Sequence, residues 1–446
     1  MAAQENIIRV ARVVFDLLTP LGTGMAETAQ ALVAGDMSAP VTAAGRELLD
    51  RLCKYDSRIR AEAEHNDHAG VLATDVFKGF AEDGILGATV PVELGGLGVS
   101  QLHDVAVALK QLAEADPSTA LALHVQFSRG LTLTYEWRHG GPDARRLAQR
   151  LLCSMATGEA LVCGAVKDAP GVVTELTPDP ETGGWLLSGR KTLVSMAPIG
   201  THFFVHAQQR VEGESARLVV PLVSRNTPGF TVLDSAAGLG MRASGTVDIV
   251  FDQCPVPADE ILGRESGTVG AGNDAVLAGQ TVSSICMLGI YVGAAQAARD
   301  LAIGIAARKT EPAAAVRTLV TDIDARLYAL KATAGAALTN ADAYNADVDI
   351  DPAVRGRSMM TPFQCAKLMV NRLAGDIVND CFTVVGGAVY GSSHPLGRLY
   401  RDVRAGWFMQ PYTYVDGVEF LSGQALGINR DNDYVSVRAK QTSPQP

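Results

Sequence analysis

Few residues in this sequence stand at spacings that do chemistry unaided. His65 and His68, with Glu64 and Asp67, share one face of a helix. That is a partial zinc set without a third ligand, and a solvated polar face is the expected outcome. His202 and His206 lie four apart on one expected strand, so they share a face and are read as structural or as facing a ligand pocket at a domain junction. Gly238-Leu-Gly-Met-Arg-Ala243 and Gly270-Ala-Gly-Asn-Asp-Ala275 match a loose dinucleotide fingerprint. Neither closes a strand and opens a helix inside a βαβ unit, so neither is taken as a phosphate cradle. The seven cysteines (53, 153, 163, 254, 286, 365, 381) form no C-x-x-C pair and are expected to be free thiols. No metal site is expected.

The elements that must position any site fall in three blocks. Residues 1–37 carry a short amphipathic stripe and read as a helical extension. Residues 38–158 keep a 3.6 period, with Leu48, Leu49, Leu52 and Ile59 on one face. From 159 to 264 the pattern changes to short β-type runs between turn signals, the longest being Trp185–Val194. These predict a compact antiparallel β domain. From 265 to 430 the helical period returns, with long helices expected over Val276–Ala306, Ala314–Asn345 and Pro362–Val384. Such lengths predict a four-helix bundle. Residues 431–446 form a polar tail. The fold class is therefore α+β and multidomain.

The chain has 446 residues, 47% of them hydrophobic, and a net charge of 38 − 48 = −10. The acidic balance argues against nucleic acid and against a polybasic membrane contact. No stretch of 18 consecutive apolar residues and no secretory leader is visible, so a cytoplasmic protein is expected.

One constellation carries more. Gly238-Leu-Gly-Met-Arg-Ala-Ser-Gly-Thr246 runs into Val247-Asp-Ile-Val-Phe-Asp-Gln-Cys-Pro-Val-Pro257. Val90–Gly98, Ser188–Ser195, Val384–Gly391 and Leu399–Asp402 accompany it in order. Together they resemble the acyl-CoA dehydrogenase superfamily over about residues 40–430. The resemblance implies an N-terminal helical domain, a middle β domain, a C-terminal four-helix bundle, a homotetramer and a bound flavin, FAD or FMN. It places Ala165, Val166, Lys167, Leu193 and Ser195 along the flavin, with Ser195 near N5. Arg308 and Thr310 stand where the family's Arg reaches a neighbouring subunit's flavin, although Glu311-Pro312 replaces the usual Phe-Gly. Gly386 and Gly387 would let backbone approach the cofactor.

The departures redirect the chemistry. A dehydrogenase of this family needs a carboxylate to take the substrate's α-proton. Counting from Arg401-Asp402, the usual base position holds Gln410; counting back from Gly293, the alternative position holds Ser283, with Ser284 beside it. Three readings follow. The base has moved, for instance to Asp416, Glu419 or Asp274; or the chain is a silent subunit; or reduced flavin and O2 oxygenate a nucleophile, which needs no α-proton base. Arg401–Pro411 resembles the flavin-dependent monooxygenase branch, notably the nitrososynthases that N-oxidise nucleotide-linked amino sugars. That reading implies a separate flavin reductase and a substrate pocket drawn from Gln280, Ser284, Met409, Gln410 and Tyr412.

Overall fold

The computed structural model describes residues 37–214, 216–234, 238–263, 274–391, 393–428 and 432. Nearly all of the expected 1–37 extension and 431–446 tail lies outside them, as does most of the Gly270–Ala275 string.

Six helices open the described chain: α1 Ala43–Cys53, α2 Asp56–Ala69, α3 Thr74–Glu82, α4 Leu102–Ala115, α5 Pro117–His139 and α6 Pro142–Ala156. Leu48 and Leu52 of α1 and Ile59 of α2 are buried, as the 3.6 period requires. The helix starts have identifiable chemistry. Thr42 Oγ1 accepts from Gly45 N at 3.0 Å, and Asp116 caps α5 by accepting from Thr119 N at 2.9 Å. Asp342, from a helix far along the chain, accepts from the first amides of α4, Leu102 N at 2.6 Å and His103 N at 3.0 Å.

Nine strands follow: β1 Val162–Ala165, β2 Glu175–Pro178, β3 Trp185–Val194, β4 His202–Val205, β5 Ala207–Gln209, β6 Arg217–Ser224, β7 Phe230–Val232, β8 Val247–Val256 and β9 Ile261–Gly263. Their order is β1-β4-β6-β5-β2-β3-β8-β7, with β9 on β6. The sheet is mixed where an antiparallel one was expected, because β1–β4 and β2–β5 pair in parallel. Parallel neighbours need a long crossover, and the β2–β3 hairpin supplies it between β1 and β4.

The last block holds α7 Val276–Val282, α8 Met287–Ala306, α9 Ala314–Ala346, α10 Pro352–Val385, α11 Pro395–Val403 and α12 Tyr414–Leu426. Two expectations need correction. The single helix expected over Val276–Ala306 is broken at residues 283–286. There the backbone tightens to i→i+3 bonds, Ser284 N to Thr281 O at 3.0 Å and Met287 N to Ser284 O at 3.1 Å. The helix expected to start at Pro362 starts at Pro352 and runs through Pro362. Its true start is signalled by Asp351, which accepts from Ala353 N and Val354 N, followed by Pro352 in the first turn.

Val276–Ala306 is the one described segment long and apolar enough to span a bilayer by composition, yet 78% of its most apolar stretch is buried inside the protein. Close packing explains that. A Cβ on Gly289 would lie 2.0 Å from Ala106 O, and one on Gly293 would lie 2.2 Å from Lys110 O. Both contacts bring α8 onto the backbone of α4. Gly289→Ala is therefore expected to destabilise the protein by about 1–3 kcal/mol, read as a lower midpoint in chemical denaturation. An unchanged midpoint would mean that the two helices separate without penalty.

Candidate active site

The segment after β1 folds back along β3. Thr192 N donates to Lys167 O at 2.9 Å and Ala169 N to Arg190 O at 2.9 Å. Lys191, buried in β3, fastens the pair: its Nζ lies 2.8 Å from Asp168 Oδ1 and donates to Val166 O at 3.2 Å. Burial draws the amine below its ordinary range, and Asp168 opposes that shift. This arrangement brings Val166 and Lys167 against Lys191 and Thr192, next to Leu193 in sequence.

β3 slips register between Lys191 and Val194, and Leu193 adopts φ 58°. The bulge turns a leucine outward, 59% exposed, where a flat apolar ring could cover it. Ser195 Oγ sits 2.7 Å from Thr246 Oγ1, which sits 2.7 Å from Ser244 Oγ, which donates to Met241 O at 2.7 Å. This hydroxyl chain keeps Ser195 oriented. Sequence reasoning missed Thr246 and Ser244 as its members, although both lie in the quoted Gly238–Thr246 string. An exposed leucine beside an oriented hydroxyl fits an isoalloxazine edge, which needs an apolar face and a polar partner.

Arg308 and Thr310 are exposed after the end of α8. Gly386 and Gly387 end α10, Gly386 at φ 83° with nothing within 4 Å of a Cβ built there. Among the described residues no hydrogen bond ties either pair to the β3 set.

On the substrate side, Gln280 is buried on α7. Ser284 is buried in the turn after it, its hydroxyl 3.2 Å from that of Ser283. Met409, Gln410 and Tyr412 form the loop before α12. Sequence reasoning missed what holds this loop. Lys367, buried on α10, donates from Nζ to both Met409 O and Tyr412 O. Burial lowers the amine to about 7, with Asp416 opposing. The Tyr412 ring stacks on Phe420 at 5.2 Å, and its hydroxyl donates to Asn432 O.

The three alternative carboxylates are placed for other work. Asp416 caps α12, accepting from Thr413 N at 3.1 Å and Thr413 Oγ1 at 2.5 Å. Asp274 pairs with Arg357 at 2.7 Å and accepts from Asn432 Nδ2 at 2.9 Å. Glu419 is exposed on α12.

The Arg401-Asp402 pair is an anchor between blocks. Asp402 is fully buried and accepts from Met241 N at 2.6 Å, across to the β domain. Burial pushes its carboxyl up to about 7, against the pull of Arg398. Arg398 reaches Glu64 at 2.8 Å and Asp116 at 2.9 Å, and Arg401 pairs with Asp67. Thus Glu64 and Asp67 serve this network, while His65 and His68 are exposed. Among the described residues no group of three or more metal-ligating side chains forms. The loop Gly238–Ala243 meets Arg401 through Gly240, where a Cβ would lie 2.3 Å from Arg401 O. His202 stays on β4 with Nδ1 2.9 Å from Thr201 Oγ1, whereas His206 falls between β4 and β5 rather than on a shared strand.

Three family profiles match in order: acyl-CoA dehydrogenase, N-terminal domain, over residues 45–159; middle domain over 164–254; and C-terminal domain over 270–410. The chain is 64% identical to the L-evernosamine nitrososynthase of Micromonospora sp., covering 92% of this chain and 97% of that one. It is 62% identical to the amino sugar nitrososynthase RubN8 of Streptomyces rubradiris, covering 91% and 95%. Among solved structures, KijD3 in complex with FMN and dTDP-3-amino-2,3,6-trideoxy-4-keto-3-methyl-D-glucose superposes with a TM-score of 0.89 at 62% identity, covering 91% of this chain and 99% of that one.

Proposed function

The chain belongs to the acyl-CoA dehydrogenase family, in its amino sugar nitrososynthase branch, and we propose that it N-oxidises a nucleotide-linked amino sugar with reduced flavin and O2. The carrying observation is the state of the carboxylates. Gln410 and Ser283 occupy the family's base positions, Asp416 caps a helix, Asp274 is ion-paired and Glu419 is on the surface. None of these positions offers a free carboxylate base for α-proton abstraction, and oxygen transfer to an amine requires none.

Bound reduced flavin supplies two electrons to O2, so that one oxygen atom joins the amine nitrogen and the other leaves as water. The chain's residues position and shelter that event. Leu193 would lie against the ring, Ser195 would present its hydroxyl to the ring edge, and Lys367 holds the loop that carries Gln410. A site closed over the flavin would exclude water. Ala165, Val166 and Lys167 would line the flavin, while Gln280, Ser284, Met409 and Tyr412 would face the sugar. The working units are 38–158, 159–264 and 265–430. Arg308 and Thr310, exposed here, would serve a neighbouring subunit in a homotetramer. Exposed Tyr328 and Phe408 on the helical block support such packing. A separate reductase would provide the reduced flavin.

The test mixes protein carrying anaerobically reduced FMN with oxygenated buffer in a stopped-flow spectrometer. A transient distinct from oxidised and reduced flavin is expected. A dTDP-linked amino sugar should speed its decay and gain one oxygen in mass. Bleaching of oxidised flavin by acyl-CoA without oxygen, and no transient, would instead identify a dehydrogenase.

A further inference from the structure

Arg129 is a partly buried cation whose side chain has no partner among the described residues. It lies on α5, the helix that packs against both β1 and α7. Its neighbour Gln126, one turn earlier, staples α5 to the sheet. Gln126 Oε1 accepts from Val162 N at 2.8 Å, and its Nε2 donates to Ala160 O at 2.9 Å. One turn on, Arg129 runs along β1 toward Gly164. A Cβ there would lie 3.6 Å from its Cζ, so the bare strand leaves the guanidinium room beside the backbone that continues into Ala165, Val166 and Lys167. Among the described residues it makes no ion pair and no side-chain hydrogen bond, and its Nε is buried without a partner. Burial lowers it to about 10, so it remains a cation at neutral pH. The nearby His124, 5% exposed, has a buried Nε2 without a partner and is kept neutral, its value lowered to about 3 by burial and by Arg129 itself. Other cations of this region are engaged. Arg225 donates to Gly200 O and Ala197 O, and Lys191 is paired with Asp168.

A guanidinium whose Nε is shut off from solvent and unmatched is unfavourable unless an anion completes it. Reduced flavin is anionic at its N1–C2 carbonyl edge near neutral pH, and a cation at that edge tunes the cofactor. Resting on the flavin reading above, we propose that Arg129 binds the N1–C2 carbonyl edge of the flavin and selects its reduced, anionic form. This would let the enzyme capture reduced flavin from a donor and release the oxidised form after turnover.

Anaerobic binding of reduced FMN, oxidised FMN and dTDP to the full-length protein tests it, with Arg129→Met and Arg129→Lys alongside. In Arg129→Met, affinity for reduced FMN is expected to fall at least about tenfold, as for loss of a charge-assisted hydrogen bond. Oxidised FMN and dTDP should bind nearly as in the wild type, and the ultraviolet–visible spectrum of bound reduced flavin should shift toward the neutral form. Arg129→Lys should recover part of the preference; it also serves as the readout if the methionine variant fails to fold. Loss of dTDP affinity with reduced FMN unaffected would overturn the proposal and assign Arg129 to the nucleotide phosphates. Equal weakening of both flavin forms, or no change at all, would also overturn it. Failure of the wild type to bind either flavin form would instead count against the proposed function.

Discussion

Replacing Arg398 with alanine is expected to remove about 3–5 kcal/mol of stability, the usual outcome of deleting one member of a buried charge network. The side chain is 7% exposed and serves Glu64, Asp116 and Asp402, which belong to α2, the start of α5 and α11. Its removal strands two buried carboxylates. The loss should depend on pH. The Asp402 carboxyl is raised by burial to about 7 in the folded protein, above its unfolded value of about 4. A raised carboxyl contributes most below the unfolded value, and that contribution fades as pH climbs through the folded one. Without Arg398 the carboxylate is still harder to ionise, so Arg398→Ala should lose more stability at pH 8 than at pH 5.5. Chemical denaturation at the two values reads this directly. A loss below about 1 kcal/mol, as for an exposed pair, or one equal at both values, would show that solvent already reaches the network.

Lys367→Met should act on stability and on the site together. The variant removes the donor for two carbonyls of the 409–412 loop. An unmet buried acceptor costs about 1–3 kcal/mol, so a loss of about 2–3 kcal/mol is expected. Because the loop carries Met409, Gln410 and Tyr412, amine oxidation per flavin oxidised should fall more steeply than flavin oxidation itself. The wild-type amine is drawn down by burial to about 7, below its unfolded value of about 10.4. Between those values the unfolded chain holds the extra proton, so wild-type stability rises with pH across the window. In Lys367→Met that contribution to the slope should vanish. Retention of both the slope and the coupling of oxygen use to product would assign the loop's order to its own packing.

The three-block architecture was legible because helix and strand periods differ and change abruptly near residues 159 and 264. The strand Trp185–Val194 matched its boundaries, since the turn signal Pro178–Gly184 marks where it begins. What stayed illegible depended on groups far apart in sequence. β2 is four residues long and exists because β3 and β5 flank it. Lys367 looks like any solvated lysine on a helix until a loop 42 residues later closes over it. The relocated-base candidates looked open for the opposite reason. Asp416 meets its capping partner three residues away, but Asp274 is claimed by Arg357 from another helix. Arg129 gave no motif at all; its significance is the partner it lacks.

The tightened turn at residues 283–286 bears on how such a chain could change its chemistry. A chain with a glutamate at position 283 on an unbroken helix would differ from this protein by more than a letter. Here i→i+3 bonds stand beside helical ones, Ser284 N to Thr281 O at 3.0 Å and Ile285 N to Thr281 O at 2.8 Å, and Ser283 Oγ donates to Gln280 O at 3.0 Å. A carboxylate at that position would hang from this tightened segment, where the Ser284 hydroxyl lies 3.2 Å from that of Ser283. A change of chemistry at this position is therefore a matter of the turn as well as of the side chain it carries.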